Sequence, residues 1–269
     1  MEHRVMVEIT DGVADVRLVR ADKMNALDNA MFSALIETGE ALKANKAVRA
    51  VVLSGEGRAF CAGLDASNFG KMAEGGGGSG NGGETALGER SHGVANRAQY
   101  AVWVWRDIPV PVIAAVHGVA FGGGFQLMLG ADMRYVAPDT KLSIMEIKWG
   151  LVPDMAGTQL MRHLVREDIV RELTYTGRIF SGTEAARIGF ATRVCDDPRA
   201  EALAVARDIA GKSPDAIRAA KRIYNAAPYR TVAEGLIDES VEQTKLIGSP
   251  NQVESVMANL QKRAAVFND

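Results

Sequence analysis

The first fifty residues show two kinds of hydrophobic periodicity. Apolar and polar residues alternate in VMVEI and ADVRLV over residues 5–19, which predicts two strands turned at Asp11-Gly12. Apolar residues then recur at helical spacing from Asp28, which has a suitable side chain for an N-cap, to Leu42. A third, buried strand is predicted over residues 49–53. The chain therefore begins as strand, strand, helix, strand.

The central stretch is the least polar part of the chain, with no charged residue over positions 109–131. Its prolines and glycines argue against a membrane helix, which needs about 20 continuous apolar residues. We divide it into a strand over residues 110–116, a turn over residues 117–121, and a helix that opens at Gly122-Gly123-Gly124 and ends near Leu129. Unshielded N–H groups at such a helix start favour an anion or oxyanion site. Close backbone packing is the other explanation for the three glycines.

Strand and helix signals alternate through most of the remaining chain. They predict a helix from about Thr85 to Arg106, strands over residues 133–136 and 141–146, a helix entered near Ala156, and a helix capped by Thr183 and ended by Gly189. From Pro198 onward the pattern is helical, with breaks at Ser213-Pro214 and Ser249-Pro250. We therefore expect an α/β core over residues 1–197 and a helical region over residues 198–269. Residues 74–83, EGGGGSGNGG, read as a surface loop.

Composition narrows the class of protein. The chain has 269 residues, 47% of them hydrophobic, so it can bury a large core. Its formal net charge is -2 with no dense basic block, which argues against nucleic acid or an anionic membrane as a partner. Two distant cysteines, with no metal-ligand spacing, predict neither a disulfide framework nor a metal site. No export signal is visible at the N-terminus, so we expect a cytoplasmic protein.

A second turn rich in small residues, AFCAGLD, precedes the glycine helix by about sixty residues. Two backbone N–H groups aimed at one carbonyl oxygen form an oxyanion hole, in which each donor contributes about 3–4 kcal/mol to the transition state. A nearby carboxylate could then move the proton alpha to that carbonyl. Glu146, predicted to end a strand, and Asp154, in a Gly/Pro loop, are candidates. Their simpler interpretation is as ordinary surface acids.

Five ordered motifs resemble those of the enoyl-CoA hydratase/isomerase (crotonase) family. They are RADKMNAL (20–27), GEGRAFCAGLDAS (55–67), PVIAAVHGVAFGGGFQLMLGADMR (111–134), EIKWGLVPDMAGTQ (146–159) and TGRIFSGTEAARIGFATRV (176–194). The resemblance implies an α/β spiral of repeated ββα units with a C-terminal helical trimerisation region, forming a homotrimer or a dimer of trimers. It implies an acyl-CoA thioester substrate and no separate cofactor, because coenzyme A is part of the substrate.

The resemblance also implies roles for individual residues. The oxyanion-hole N–H groups would be those of Leu64 and Gly123. The coenzyme A moiety would lie along a group of residues from two motifs: Lys23, Asn25, Ala26, Ala62 and Asp65. The two hydratase glutamates fall at Gln126 and Glu146. Asp154 falls where dienoyl-CoA isomerases carry an aspartate, and His117 stands where asparagine is frequent.

Gln126 separates the possible reactions. Glutamine can hydrogen-bond a water but has no proton to exchange, and loss of a general acid/base costs about 10²–10⁴ in rate. We therefore favour double-bond isomerisation by Glu146 and Asp154. The alternatives are a hydratase or other lyase that uses Glu146 with Gln126, and a non-catalytic acyl-CoA binder or RNA-associated homologue. The identity of the acyl chain does not follow from the sequence.

Overall fold

The strands form two sheets in the computed structural model, which describes residues 3–66, 68 and 87–269. The larger sheet contains, in spatial order, β1 (Val5–Thr10), β2 (Val13–Leu18), β3 (Ala50–Gly55), β4 (Val112–Val116), β6 (Met133–Val136) and β9 (Arg193–Val194). Only its β1–β2 pair is antiparallel. The smaller sheet has the order β5 (Val119–Phe121), β7 (Lys141–Ser143) and β8 (Phe180–Ser181), with β5 and β7 parallel and β7 and β8 antiparallel.

Helices follow the strand pairs and then make up the C-terminal part of the chain. They are α1 (Asn29–Ala44), α2 (Arg97–Asp107), α3 (Gly123–Leu129), α4 (Gly157–Met161), α5 (Glu167–Thr176), α6 (Gly182–Ile188), α7 (Pro198–Ala210), α8 (Pro214–Ala226), α9 (Val232–Leu246) and α10 (Pro250–Leu260). Short 3-10 helices occupy Ala21–Lys23, Glu146–Trp149 and Ala227–Tyr229. In the described residues, no helix is long and apolar enough to cross a membrane.

The ββα repeat predicted for this chain is visible in its centre. Strand β4 joins the larger sheet, β5 joins the smaller one, and α3 follows. The next strands repeat this pattern, because β6 enters the larger sheet and β7 the smaller. Consecutive strands thus diverge into different sheets, which is how a ββα spiral is built. The expectation of an α/β fold with C-terminal helices is confirmed.

Both faces of the central parallel strands β3 and β4 are buried, as their apolar sequences require, whereas the edge strand β1 is mostly exposed. Leu53 and Val112 on one face pack in a cluster with Phe32 of α1 and Trp105 of α2. The opposite face, which includes Val52 and Ile113 of the adjacent strands, is covered by three alanines of α7: Ala202, Ala206 and Ala210. Helix α7 is therefore part of the core packing. The domain boundary at residue 197 stays a prediction.

Three predicted element boundaries were wrong. Strand β7 ends at Ser143, and Glu146 opens a 3-10 helix instead of ending the strand. Helix α2 starts at Arg97, because Asn96 caps it and forms a capping box with Gln99. Helix α6 is capped by Ser181, whose hydroxyl accepts from the Glu184 N–H, and not by Thr183.

Two predicted helix ends agree with the structure. Asp28 caps α1 by accepting from the Met31 N–H, and Gly189 ends α6 in a left-handed conformation. The segment predicted as a turn over residues 117–121 includes the short strand β5. The loop predicted at residues 74–83 lies outside the described residues.

Candidate active site

Two turns that are distant in sequence meet at the start of α3. The turn at residues 61–65 is bridged on one side to β5, through Cys61 and Ala120, and on the other side to the segment before α1, through Leu64 and Leu27. A Cβ built on Gly63 would lie 3.6 Å from the backbone nitrogen of Gly123. The AFCAGLD turn and the glycine helix are therefore direct neighbours.

The N–H groups of Leu64 and Gly123 have no acceptor among the described residues. Leu27 bonds to the neighbours of Leu64 instead: its N–H donates to the Gly63 carbonyl at 2.8 Å, and its carbonyl accepts from the Asp65 N–H at 3.1 Å. Gly123 is the first residue of α3, where N–H groups have no partner within the helix. Two unused backbone donors on neighbouring turns are the components from which an oxyanion hole is built.

The carboxyl group of Glu146 lies beside this pair of donors. A Cβ built on Gly122 would be 3.4 Å from Glu146 Oε1 and 3.7 Å from its carboxyl carbon. Gly122 has φ 49 and ψ -116, a conformation that side-chain-bearing residues avoid. The glycine therefore both turns the chain into α3 and leaves space for the carboxyl group.

Gln126 connects this carboxyl group to the segment that carries Asp154. Its Nε2 donates to Glu146 Oε1 at 2.6 Å, and its Oε1 accepts from the N–H groups of Met155 and Gly157, each at 2.9 Å. The other oxygen of Glu146, Oε2, is buried and has no hydrogen-bond partner among the described residues. One oxygen of the carboxyl group is thus held, and the other is available for chemistry.

Burial raises the pKa of Glu146. Its own backbone N–H and the amide of Gln126 oppose that rise, and the negative charge of Asp154 adds to it. Burial of its carboxyl group also raises the pKa of Asp154, although this residue keeps contact with solvent. Burial thus shifts the pKa of both acids in the same direction, upward.

The residues predicted to lie along coenzyme A differ in what their side chains can offer. Lys23 is exposed on its 3-10 helix, so its ammonium group is accessible. Asn25 is fully buried, and its amide donates to the carbonyls of Glu56 and Ala59. The carboxylate of Asp65 pairs with Arg20 at 2.5 Å. The side chains of Asn25 and Asp65 therefore build the turn in this structure.

Ala26 and Ala62 complete the predicted group through their backbones. The Ala26 carbonyl accepts from Arg20 Nη1 at 3.0 Å, and the Ala62 N–H donates to the Met24 carbonyl at 2.9 Å. Arg20 thus holds both motifs together, a role that was not predicted from the sequence. Its place at the head of RADKMNAL was the available signal.

The chain is similar to known proteins over nearly its whole length. The sequence profile described as enoyl-CoA hydratase/isomerase matches residues 8–269. The chain belongs to the enoyl-CoA hydratase/isomerase family. It is therefore an enzyme of the crotonase family of acyl-CoA enzymes, and the resemblance of its five motifs is confirmed.

Individual relatives represent both reactions of the family. Mitochondrial methylglutaconyl-CoA hydratase of Mus musculus is 29% identical over 267 residues, covering 97% of this chain and 81% of the relative. Mitochondrial Delta(3,5)-Delta(2,4)-dienoyl-CoA isomerase of the same species is 29% identical over 269 residues, with 93% and 77% covered. The solved structure of enoyl-CoA hydratase from Bacillus anthracis has a TM-score of 0.86 and 26% identity, with 98% of each chain covered. Similarity alone thus leaves hydratase and isomerase equal.

His117, which occupies a position where this family often has asparagine, has a structural contact. Its Nε2 lies 2.9 Å from the Gly57 carbonyl oxygen. Together with Asn25, which bonds the neighbouring carbonyls of Glu56 and Ala59, it holds the turn that leads into AFCAGLD. In this enoyl-CoA hydratase/isomerase family member, His117 therefore contacts the turn that precedes AFCAGLD.

Proposed function

We propose that this protein moves a double bond in an enoyl-CoA or dienoyl-CoA by way of a thioester enolate, with Glu146 and Asp154 transferring protons. The observation that carries the proposal is the state of Gln126. Its amide is fully bonded on its oxygen side and cannot exchange a proton, while the second carboxyl group that acts on Glu146 is that of Asp154. Two carboxyl groups at different positions suit removal of a proton at one carbon and its return at another.

The proposed reaction has two proton transfers. The N–H groups of Leu64 and Gly123 bind the thioester oxygen, and the Glu146 carboxylate removes a proton from C2 of the substrate. The C–H electron pair moves onto the thioester oxygen as an enolate while an O–H bond forms on Glu146. The enolate electrons then return through the conjugated system, and protonated Asp154 gives its proton to the far carbon. Exchange with solvent restores both acids.

The raised pKa values of both acids support this division of work. A carboxylate whose pKa is raised is a stronger base than an ordinary surface acid, which helps Glu146 to remove the C2 proton. A raised pKa also increases the fraction of Asp154 that is protonated and able to donate. A transfer between two carbons requires one acid that starts without a proton and one that starts with a proton.

Hydration of a 2-enoyl-CoA is the second candidate, because a hydratase relative is as similar as the isomerase relative. In that reaction Glu146 and Gln126 would orient a water. Without a second exchangeable proton at position 126, we expect hydration to be about 10²–10⁴ slower than with two carboxylates. A third candidate, a non-catalytic acyl-CoA binder, would have no need for the two acids.

Proton exchange in deuterated water distinguishes these candidates. We would incubate the wild type with a 2-enoyl-CoA, a 3-enoyl-CoA and a 3,5-dienoyl-CoA, and follow both deuterium uptake at C2 and the position of the double bond. Glu146→Gln should abolish exchange and isomerisation together. Asp154→Asn should block isomerisation while leaving exchange, and Glu167→Gln, at an exposed acid on α5, should change neither.

Two other outcomes of this experiment would each support one of the alternative functions. Fast hydration of the 2-enoyl-CoA by the wild type, unaffected by Asp154→Asn, would replace the isomerase proposal with the hydratase one. Binding without exchange on any of the three substrates would favour the non-catalytic binder.

Two further parts of the proposal concern binding and assembly. Lys23 would contact a phosphate of coenzyme A, with the backbones of Asn25, Ala26 and Ala62, and the Asp65 turn, alongside it. Association as a homotrimer or hexamer is supported by large apolar side chains that stay exposed on the C-terminal helices, including Leu236, Ile237, Val253, Met257 and Leu260. A cytoplasmic location stays a prediction.

A further inference from the structure

The bonding of the Gln126 amide fixes which way it faces. Two backbone N–H groups, of Met155 and Gly157, point at one end of the amide, and only its oxygen can accept from them. The nitrogen end must therefore face Glu146 Oε1, 2.6 Å away, and donate to it. The side chain is 1% exposed, so no water competes for these positions from bulk solvent.

The absence of a side chain at Gly157 leaves the space that the Gln126 amide occupies in this orientation. A Cβ built on Gly157 would lie 2.6 Å from Gln126 Oε1 and 2.8 Å from its Cγ. Any side chain at position 157 would therefore displace the amide from its two donors. The glycine lets the backbone approach closely enough for both bonds to form.

The hydrogen bond from Gln126 Nε2 to Glu146 Oε1 decides which oxygen of Glu146 takes up a proton. While the Gln126 N–H occupies Oε1, that oxygen acts as an acceptor, so a proton taken up by Glu146 is placed on Oε2. Oε2 is the buried oxygen that has no partner among the described residues. The amide oxygen of Gln126 meanwhile holds the residue that directly follows Asp154.

From these contacts we propose that Gln126 is a positioning residue for both acids and does not bind the reacting water or substrate. It directs proton transfer to Glu146 Oε2 and anchors the segment of Asp154 through Met155 and Gly157. This inference rests on the proposed function, because it takes Glu146 and Asp154 as the proton-transfer groups. It differs from a hydratase role, in which the residue at position 126 would orient a water.

Substitution by glutamate tests this inference because it changes one atom. In Gln126→Glu, one oxygen can still accept from the Met155 and Gly157 N–H groups, while the other would replace the donor 2.6 Å from Glu146 Oε1. Two carboxylates at that distance cannot both ionise, so they share a proton and the pKa of one rises strongly. Glu146 would then stay protonated at a pH at which it works as a base in the wild type.

The measurement is the pH dependence of deuterium exchange at C2, which needs only Glu146 and the oxyanion donors. For Gln126→Glu we expect the acid limb of kcat/KM to move up by about one pH unit or more, with activity recovering to within about tenfold at alkaline pH. Gln126→Met, which has neither donor nor acceptor, should lose activity at every pH through kcat. Gln159→Glu, which adds a charge at an exposed position of α4, should leave the profile unchanged.

An unchanged acid limb for C2 exchange in folded Gln126→Glu would overturn the inference. The proposed function can fail separately. If the wild type hydrates and does not isomerise, the shift of the acid limb can be measured on hydration, and the positioning role is still tested.

Discussion

The oxyanion hole can be tested at one of its two donors by comparing Gly123→Pro with Gly123→Ala. Proline removes the N–H, and a proline at the first residue of a helix is otherwise well tolerated. The Gly123 N–H has no acceptor among the described residues, so the free enzyme loses no hydrogen bond there. Removal of one donor should cost about 2.7–4 kcal/mol of transition-state stabilisation, or about 10²–10³ in kcat.

Alanine is the matched control because the added carbon creates a separate problem. A Cβ at position 123 would lie 2.8 Å from Leu27 Cδ1 and 2.8 Å from Met155 Sδ. Both atoms are ends of flexible side chains, which can shift at a modest cost. Gly123→Ala meets these same contacts but keeps the N–H, so the ratio of the two variants isolates the donor.

The assay is turnover of the substrate found in the exchange experiment, with thermal unfolding as the check on folding. We expect Gly123→Pro to be about 10²-fold or more slower than Gly123→Ala. If both variants are folded and their kcat values agree within about threefold, the Gly123 N–H does not stabilise the transition state and the oxyanion assignment is wrong.

Three further predictions concern stability and assembly. Burial raises the pKa of Glu146 in the folded state, so the wild type loses stability as the pH rises through that pKa. Glu146→Gln should therefore unfold at a higher temperature than the wild type near pH 8. The difference between the two unfolding temperatures should disappear towards about pH 4. The side chain of Lys221 is 6% exposed and pairs with Asp132 at 2.7 Å. Lys221→Met should therefore lower the free energy of unfolding, measured in urea, by about 3 kcal/mol. A loss below about 1 kcal/mol would mean that the ion pair does not stabilise the protein relative to an apolar side chain. Light scattering at micromolar concentration should give the mass of a trimer or hexamer, and a monomer would contradict the assembly proposal.

The fold was predictable where the signal is local. The Asp28 cap, the glycine helix start and the end of α6 at Gly189 each depend on neighbours within one turn of chain. The strand expected to reach Glu146 shows where local signals fail. Its partner β5 ends at Phe121, opposite Ser143, and the next N–H, of Gly122, donates to the Ser143 carbonyl. The pairing stops there, although the apolar pattern of the sequence continues.

The residues of the site could be predicted from the sequence, but the hydrogen bonds that connect them could not. The two donor turns and Glu146 lie together, as the motifs implied. The acceptors and donors of Gln126 could not be foreseen, because Met155 and Gly157 are brought to it by the fold and contribute only backbone N–H groups. Backbone groups are the same in every residue, so a sequence carries no direct sign of which of them will bond. The only sequence signal of these bonds is the glycine at position 157, where a side chain would displace the Gln126 amide.

The packing of α7 against the larger sheet affects how the chain folds during translation. The face that includes Val52 and Ile113 stays open until residues 198–210 have been synthesised, because α7 supplies the alanines that close it. During translation at about 5–20 residues per second, that apolar face is exposed for several seconds after its strands leave the ribosome. Contacts between segments so far apart in sequence also form slowly. Nascent chains that stop short of α7 should therefore be substrates for chaperones, while chains that extend past it can bury both faces of the sheet.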